Sequence, residues 1–156
     1  LDPACGSGGM FVMSADFVER HGKTPSSEIS IYGVEKDRVT ANLNKMNLAV
    51  HGLSGDVREA NTYATDIKAL FPRVFNESGG FDFVMANPPF NVDEIDAEKI
   101  KDDKRLSFGL PGVNQGGKVS NGNYVWMSFF HSYLSDKGRA GIVMSSQASS
   151  AGGGEA

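Results

Sequence analysis

The sequence predicts an α/β fold in which a parallel sheet is covered by helices on both faces. Two observations carry that prediction. β-branched or apolar runs alternate with amphipathic stretches in the order (β)αβαβ(α)βαβ, and such alternation builds parallel sheets with crossover helices. The unusual residues also recur at one kind of position: Gly6 to Gly9, Glu35, Asn61 and Asn87 each follow a predicted strand. In open α/β sheets ligands bind outside the carboxyl ends of the strands, where the strand order reverses.

The elements follow from local pattern. Only Leu1 represents a strand before the Gly-rich turn. Residues 10 to 20 carry apolar side chains at roughly helical spacing, and His21-Gly22 ends that helix. Residues 23 to 28 read as a polar loop around Pro25. Ile29 to Val34 alternates and is rich in β-branched residues, so it reads as a strand with Glu35 at its end. From Arg38 to Val50, the apolar Val39, Leu43, Met46, Leu48 and Val50 predict an amphipathic helix stopped by His51-Gly52. Residues 53 to 64 read as a short strand and loop, and 65 to 71 as a short helix ended before Pro72. Phe81 to Ala86 is apolar enough for a buried strand.

Residues 91 to 121 form a polar stretch with four glycines and no clear period. Loops of that length inside a domain are usually lids, binding loops or mobile segments. Lys99, Lys101, Lys104, Arg105 and Lys118 could meet phosphate there, although Asp93, Glu94, Asp96, Glu98, Asp102 and Asp103 share the stretch. Asn123 to Leu134 reads as a helix, Asp136-Lys137-Gly138 as a turn, and Ala140 to Met144 as a strand. With a truncated first strand and a Gly-rich end at 152 to 156, the chain reads as one partial domain excerpted from a longer protein.

Composition sets outer bounds. The chain is 40% hydrophobic and 22% charged, with a net charge of −4. That argues against a main DNA-gripping surface, which would be basic, but not against a nucleic-acid substrate held by another domain. A lone cysteine, Cys5, allows no internal disulfide and fits a reducing, cytoplasmic compartment. No apolar run approaches the ~18 residues of a membrane span. The three histidines are scattered without ligand spacing, so no metal is expected.

The first half of the candidate site is the turn Gly6-Ser7-Gly8-Gly9. Glycines let a backbone approach a ligand closely, and a helix N-terminus offers free N–H groups to an anion. A phosphate, a dinucleotide or the methionine carboxylate of S-adenosylmethionine fits in principle. No Gly-Lys-Ser/Thr follows, and position 11, where a dinucleotide fingerprint wants glycine, is Phe11. Asp2 would repel a pyrophosphate but could meet the ammonium of S-adenosylmethionine. Glu35 could accept from two ribose hydroxyls. Asn61-Thr62 could reach the adenine, with Asp56 as a rival.

The second half is Asn87-Pro88-Pro89-Phe90. Proline lacks an N–H, so this loop presents acceptors without donors. The Asn87 side-chain carbonyl and the Pro88 backbone carbonyl could both accept from one planar amino group. Two acceptors favour rehybridisation of an amine whose lone pair is delocalised into a ring, and Phe90 would stack on that ring. Cys5 reads as a small packed residue rather than a nucleophile.

In this order the motifs resemble the amino-methyltransferases of DNA. Residues 2 to 9 (DPACGSGG) are similar to the family's first, cofactor-binding motif; Glu35 matches the acidic residue of the second; Asn61-Thr62 is similar in position to the third; and Asn87-Pro88-Pro89-Phe90 matches the catalytic motif of the adenine-N6 type. More narrowly, residues 32 to 35 (YGVE), 47 to 52 (NLAVHG) and 137 to 144 (KGRAGIVM) resemble the modification subunit of type I restriction–modification systems. The resemblance implies a Rossmann-like fold that uses S-adenosylmethionine, incomplete here because the last strands are missing, and N6-methyladenine in DNA as product. It implies a DNA-specificity subunit, a second modification subunit and a restriction subunit as partners. Methyltransferases acting on release-factor glutamine or on ribosomal RNA guanine carry a similar loop, and a non-catalytic assembly module on the same fold is a reading from another class. An NAD-dependent oxidoreductase would leave the Pro-Pro loop unexplained.

Overall fold

The computed structural model describes residues 1–89, 95–119 and 122–144. Helix α1 (Gly9–Arg20) and the short α2 (Pro25–Glu28) lead into strand β1 (Ile31–Glu35). Helix α3 (Arg38–Val50) returns the chain to strand β2 (Gly55–Glu59). Two short helices, α4 (Ile67–Leu70) and α5 (Pro72–Ser78), precede β3 (Phe81–Ala86). After Asn87, Pro88 and Pro89 come α6 (Ala97–Ile100), α7 (Gly122–Tyr133) and β4 (Leu134–Ile142).

All pairings among these strands are parallel. β1 pairs with β2, from Ile31 opposite Gly55 to Glu35 opposite Glu59. β3 pairs with β4 in register from Val84–Ala140 to Ala86–Ile142. Leu1 and Asp2 lie between the two pairs. Asp2 bridges Gly33 in parallel, its N–H donating to the Tyr32 carbonyl at 2.9 Å. On the other side the Met85 N–H donates to the Leu1 carbonyl at 2.9 Å. The sheet order is therefore β2, β1, the Leu1–Asp2 stub, β3, β4. From the stub the chain winds outward through β1 to β2, then crosses back to β3 on the stub's far side. The strand order reverses between stub and β3, which is where a ligand crevice belongs.

Period-two alternation in β1 separates two cores. Ile31 faces a cluster with Cys5, Phe11, Ala41, Leu48 and Val57. Gly33 faces the same way, and a Cβ there would sit 2.9 Å from the Cys5 sulfur and 3.1 Å from the Phe11 ring. Val34 instead joins the larger cluster, which holds Ile67, Phe71, Phe81 and the α7 side chains Trp126, Phe129 and Tyr133. Helices α1 and α3 thus cover one face, and α4, α5 and α7 the other.

The pattern-based boundaries match for α1, α3, β3 and α7 to within about two residues. Three regions differ, each for a physical reason. Pro25 opens the short helix α2 where a polar loop was expected, because proline's missing N–H costs nothing at the first helical position. The expected turn at 136 to 138 lies inside β4, where the register slips between the Phe81 and Phe83 pairs. Gly138 lies against the Phe81 carbonyl, so close that a Cβ would come within 2.6 Å. The described part of the long polar stretch carries α6 and two antiparallel bridges, Asp96–Lys118 and Val113–Val119. Among the described residues no helix is long and apolar enough to cross a membrane.

Candidate active site at the carboxyl ends of the strands

The Gly-rich turn closes on itself, with the Gly8 N–H donating to the Cys5 carbonyl at 2.9 Å. Gly6 and Gly8 sit at φ +50° and +88°, where a Cβ is strained. Helix α1 then starts with no side-chain cap. The N–H groups of Ser7, Gly9 and Met10 have no acceptor among the described residues. A helix that leaves its first amides bare toward a hollow is suited to an anion.

That hollow is a cavity of about 400 Å³ whose walls include Asp2, Gly6, Ser7, Gly9, Met10 and Asn87. Asp2 is only 3% exposed, and one of its carboxylate oxygens accepts from the Ala4 N–H at 2.9 Å. Burial pushes its carboxyl up to about 7, against the lowering by the Ala4 N–H, and nearby Glu35 adds to the rise. A carboxylate so placed gains from a cationic partner. Glu35 closes the opposite side of the turn. Its two oxygens accept from the Gly6 N–H at 3.1 Å and the Asp37 N–H at 2.9 Å. Two donors at fixed positions hold the carboxylate at the end of β1, and its further lone pairs stay open to ligand hydroxyls.

Asn87 extends from the end of β3 and is exposed, whereas Pro88 beneath it is buried. Asn87 and the Gly-rich turn therefore share one cavity, although they lie far apart in sequence. Phe90 lies outside the described residues. Asn61 is exposed, and its side chain accepts from the Tyr63 N–H in a tight turn. The Thr62 hydroxyl is buried and donates to the Pro3 carbonyl, which fastens the loop after β2 under the Gly-rich turn. Neither residue lines the cavity. Asp56 lies in the amino-terminal half of β2, paired with Arg58, on the wall of a separate hollow. It is at the wrong end of the strand to rival Asn61.

Cys5 is buried, and burial pushes its thiol up to about 12, which leaves it unreactive near neutral pH. Among the described residues no three His, Cys, Asp or Glu side chains cluster as metal ligands do.

Arg105 departs most from the sequence reading. Instead of reaching for phosphate it is buried, 6% exposed. Its guanidinium donates to the carbonyls of Thr62, Tyr63 and Thr65 at 2.7, 3.1 and 2.8 Å. It also reaches the Tyr133 hydroxyl at 2.9 Å and the Asp103 carboxylate at 2.6 Å. The group stands 3.9 Å over the Phe129 ring. Although partial burial works against its charge, the Arg105 guanidinium holds the Asp103 carboxyl below its usual range. Lys101 pairs with Glu98, and Lys99 and Lys118 both approach Asp96, so these cations are partly spent on neighbours. Nothing in the sequence around Arg105 sets it apart from the lysines beside it.

The chain matches the family model for N-6 DNA methylase over residues 1–156. Among similar proteins is the type I restriction enzyme MjaIX methylase subunit of Methanocaldococcus jannaschii, 42% identical over 97% of this chain and 26% of that one. The HindI methylase subunit of Haemophilus influenzae is 33% identical over 92% of this chain and 29% of its own. The chain thus spans about a quarter of the length of these relatives. A solved structure from Listeria monocytogenes, described as a class I S-adenosylmethionine-dependent methyltransferase, superposes with a TM-score of 0.62 at 16% identity, covering 90% of this chain and 37% of that one. The fold is that of the S-adenosylmethionine-dependent methyltransferases.

Proposed function

The chain belongs to the N-6 DNA methylase family, and from that premise we propose that the intact protein methylates the N6 amine of adenine in DNA, as the modification subunit of a type I restriction–modification system. The observation that carries this reading is the shared cavity. Asp2 and the bare amides of the Gly-rich turn form one wall, and Asn87 reaches into the same space. A donor site and an amine site must adjoin for direct transfer, and a cavity lined by both the Gly-rich turn and Asn87 supports that reading.

When bound, S-adenosylmethionine supplies an electrophilic methyl sulfonium. The chain's own residues bind and orient. The N–H groups at the start of α1 meet the methionine carboxylate, and ionised Asp2 meets the ammonium. Glu35 accepts from the ribose hydroxyls. Asn61, exposed at its turn, contacts the cofactor's adenine, while Thr62 acts indirectly by anchoring that loop to Pro3. On the substrate side, the Asn87 side-chain oxygen and the Pro88 carbonyl accept the two amine hydrogens. Pro88 and Pro89 bring no competing donor to that loop. Phe90 stacks on a base that has left the duplex. Rate then comes from positioning and from acceptors aimed at a nitrogen that becomes positive as it attacks.

The net charge of −4 fits a division of labour in which a specificity subunit grips the DNA, alongside a second modification subunit and a restriction subunit. Tritiated-methyl transfer by the full-length protein with its specificity subunit tests the proposal. Label is expected in DNA, as N6-methyladenine. Label in protein or ribosomal RNA alone would transfer the assignment to a glutamine or guanine substrate. No label in any acceptor would leave an assembly module.

A further inference from the structure

The turn that forms the cofactor wall is held from below by helix α3. The Asn44 side chain is completely buried, and its amide nitrogen donates to the Gly6 carbonyl at 3.0 Å and approaches the Cys5 carbonyl at 3.5 Å. One helical turn later, the Asn47 amide donates to the Ser7 carbonyl at 2.9 Å. Three successive carbonyls are thus drawn toward one face of α3.

A trans peptide is planar, so its N–H points away from its C=O. Drawing the Gly6 carbonyl toward Asn44 turns the Ser7 N–H the opposite way, and Ser7 lines the cavity. The Cys5–Gly6 peptide follows the same rule: its carbonyl faces Asn44, and the Gly6 N–H reaches Glu35 at 3.1 Å. The arrangement carries a local cost. The Asn44 side-chain oxygen is buried with no donor, and an unpaired buried acceptor is destabilising by about 1–3 kcal/mol. An apolar side chain would avoid that cost, so the amide's contribution lies in its donors. Gly8 belongs to the same fit, since a Cβ there would come within 2.8 Å of that oxygen.

We propose that Asn44 and Asn47 are positioning residues for the cofactor carboxylate: by fixing the turn's carbonyls they hold the one shape in which the Ser7 N–H faces the cavity, while the Gly6 and Gly8 N–H groups stay committed to Glu35 and to the Cys5 carbonyl. The proposal rests on the cofactor reading above. The test uses the intact protein, with Asn47→Ala, Asn44→Asp and, as a control on the same helix, the exposed Asn42→Ala. Affinity is measured by calorimetry, well below each variant's melting temperature, for two ligands. S-adenosylhomocysteine carries the amino-acid carboxylate; 5′-methylthioadenosine does not. Asn47→Ala and Asn44→Asp are expected to bind S-adenosylhomocysteine about tenfold more weakly, the scale of one lost hydrogen bond. Binding of 5′-methylthioadenosine should stay within about twofold of wild type, and Asn42→Ala should change neither. Should Asn44→Asp fail to fold, Asn47→Ala decides alone, because Asn47 is half-exposed. An equal loss for both ligands would mean a merely structural role, and no loss for either would mean no role; both overturn the proposal. If the wild-type protein binds neither ligand, the cofactor reading itself fails, and this inference with it.

Discussion

The turn at residues 2 to 9 and the segment at 95 to 119 lie on either side of Asn87 in the chain, yet they are secured in different ways. The turn is held many times over. Glu35 takes the Gly6 N–H, Asn44 and Asn47 take its carbonyls, and Thr62 takes the Pro3 carbonyl. The later segment buries Ile95, Ala97, Ile100 and Val119 in the larger core, and its polar tie to the loop after β2 is the Arg105 guanidinium. Redundant bonds keep the turn folded when one is lost, even though the aim of its amides depends on each. A single buried cation makes a polar link that one substitution can release. The Gly-rich turn is therefore fixed by many directed bonds, and the later segment by apolar burial with one such link to the loop after β2.

The largest expected effect separates chemistry from both regions. Asn87→Ala removes an acceptor at the reacting nitrogen while leaving the Gly-rich turn, Asp2 and Glu35 in place. Methyl transfer by the intact protein should fall by roughly 10³-fold, the scale of losing one preorganised electrostatic group, with cofactor affinity within about threefold of wild type. Radiolabel transfer and calorimetry read the two quantities. A cofactor affinity that fell in step with transfer would show that Asn87 belongs to the fixed wall and not to the amine site.

Arg105→Ala tests the polar link of the later segment. It leaves Asp103 and three backbone carbonyls without their partner, and breaking a buried ion pair from one side costs about 3–5 kcal/mol. Chemical denaturation should register that loss. Under native conditions the KM for DNA should rise while cofactor affinity changes little. Arg105→Lys keeps the charge but cannot span the same acceptors, so it should recover only part of the stability. If cofactor affinity fell as far as stability, the two regions would be one unit and the contrast would be lost.

This contrast also marks how far the sequence could be read. Elements that depend on local rules were legible: the alternation of Ile31 to Val34, the spacing of α3, and the glycines at 6 and 8. So was the juxtaposition of the turn with Asn87, because strand ends of a parallel sheet share one edge. Residues whose role depends on a distant partner were not. Arg105 sits among Lys99, Lys101 and Lys104 with the same charge, and the fork of its guanidinium is a weak signal until its burial over Phe129 is seen. Asn44 and Asn47 looked like polar positions of an amphipathic helix, yet their acceptors lie some forty residues earlier. Thr62 was read as a ligand contact because of its place after a strand, while its hydroxyl is taken by Pro3. Pro25 was read as part of a loop, although proline at a first helical position is a start, whereas the helix end before Pro72 was legible.

The smallest expected effect probes the fixed wall through pH. Burial raises the Asp2 carboxyl from 3.8 to about 7 in the folded protein. A carboxyl raised in this way stays protonated in the native state while its unfolded counterpart ionises. Its contribution to stability therefore falls as pH rises from about 4 toward 7, and levels off above. Cofactor binding runs the other way, because only ionised Asp2 can pair with the ligand ammonium. Affinity should climb through pH 7, then decline as the ligand's own amine loses its proton near pH ~8. The expected profile is a shallow bell, severalfold high, measured by calorimetry between pH 5.5 and 9. Asp2→Asn should remove the acid limb, lower the maximum severalfold and flatten the stability slope below pH 7. An unchanged acid limb in Asp2→Asn would assign that titration to another group and take the ammonium contact away from Asp2.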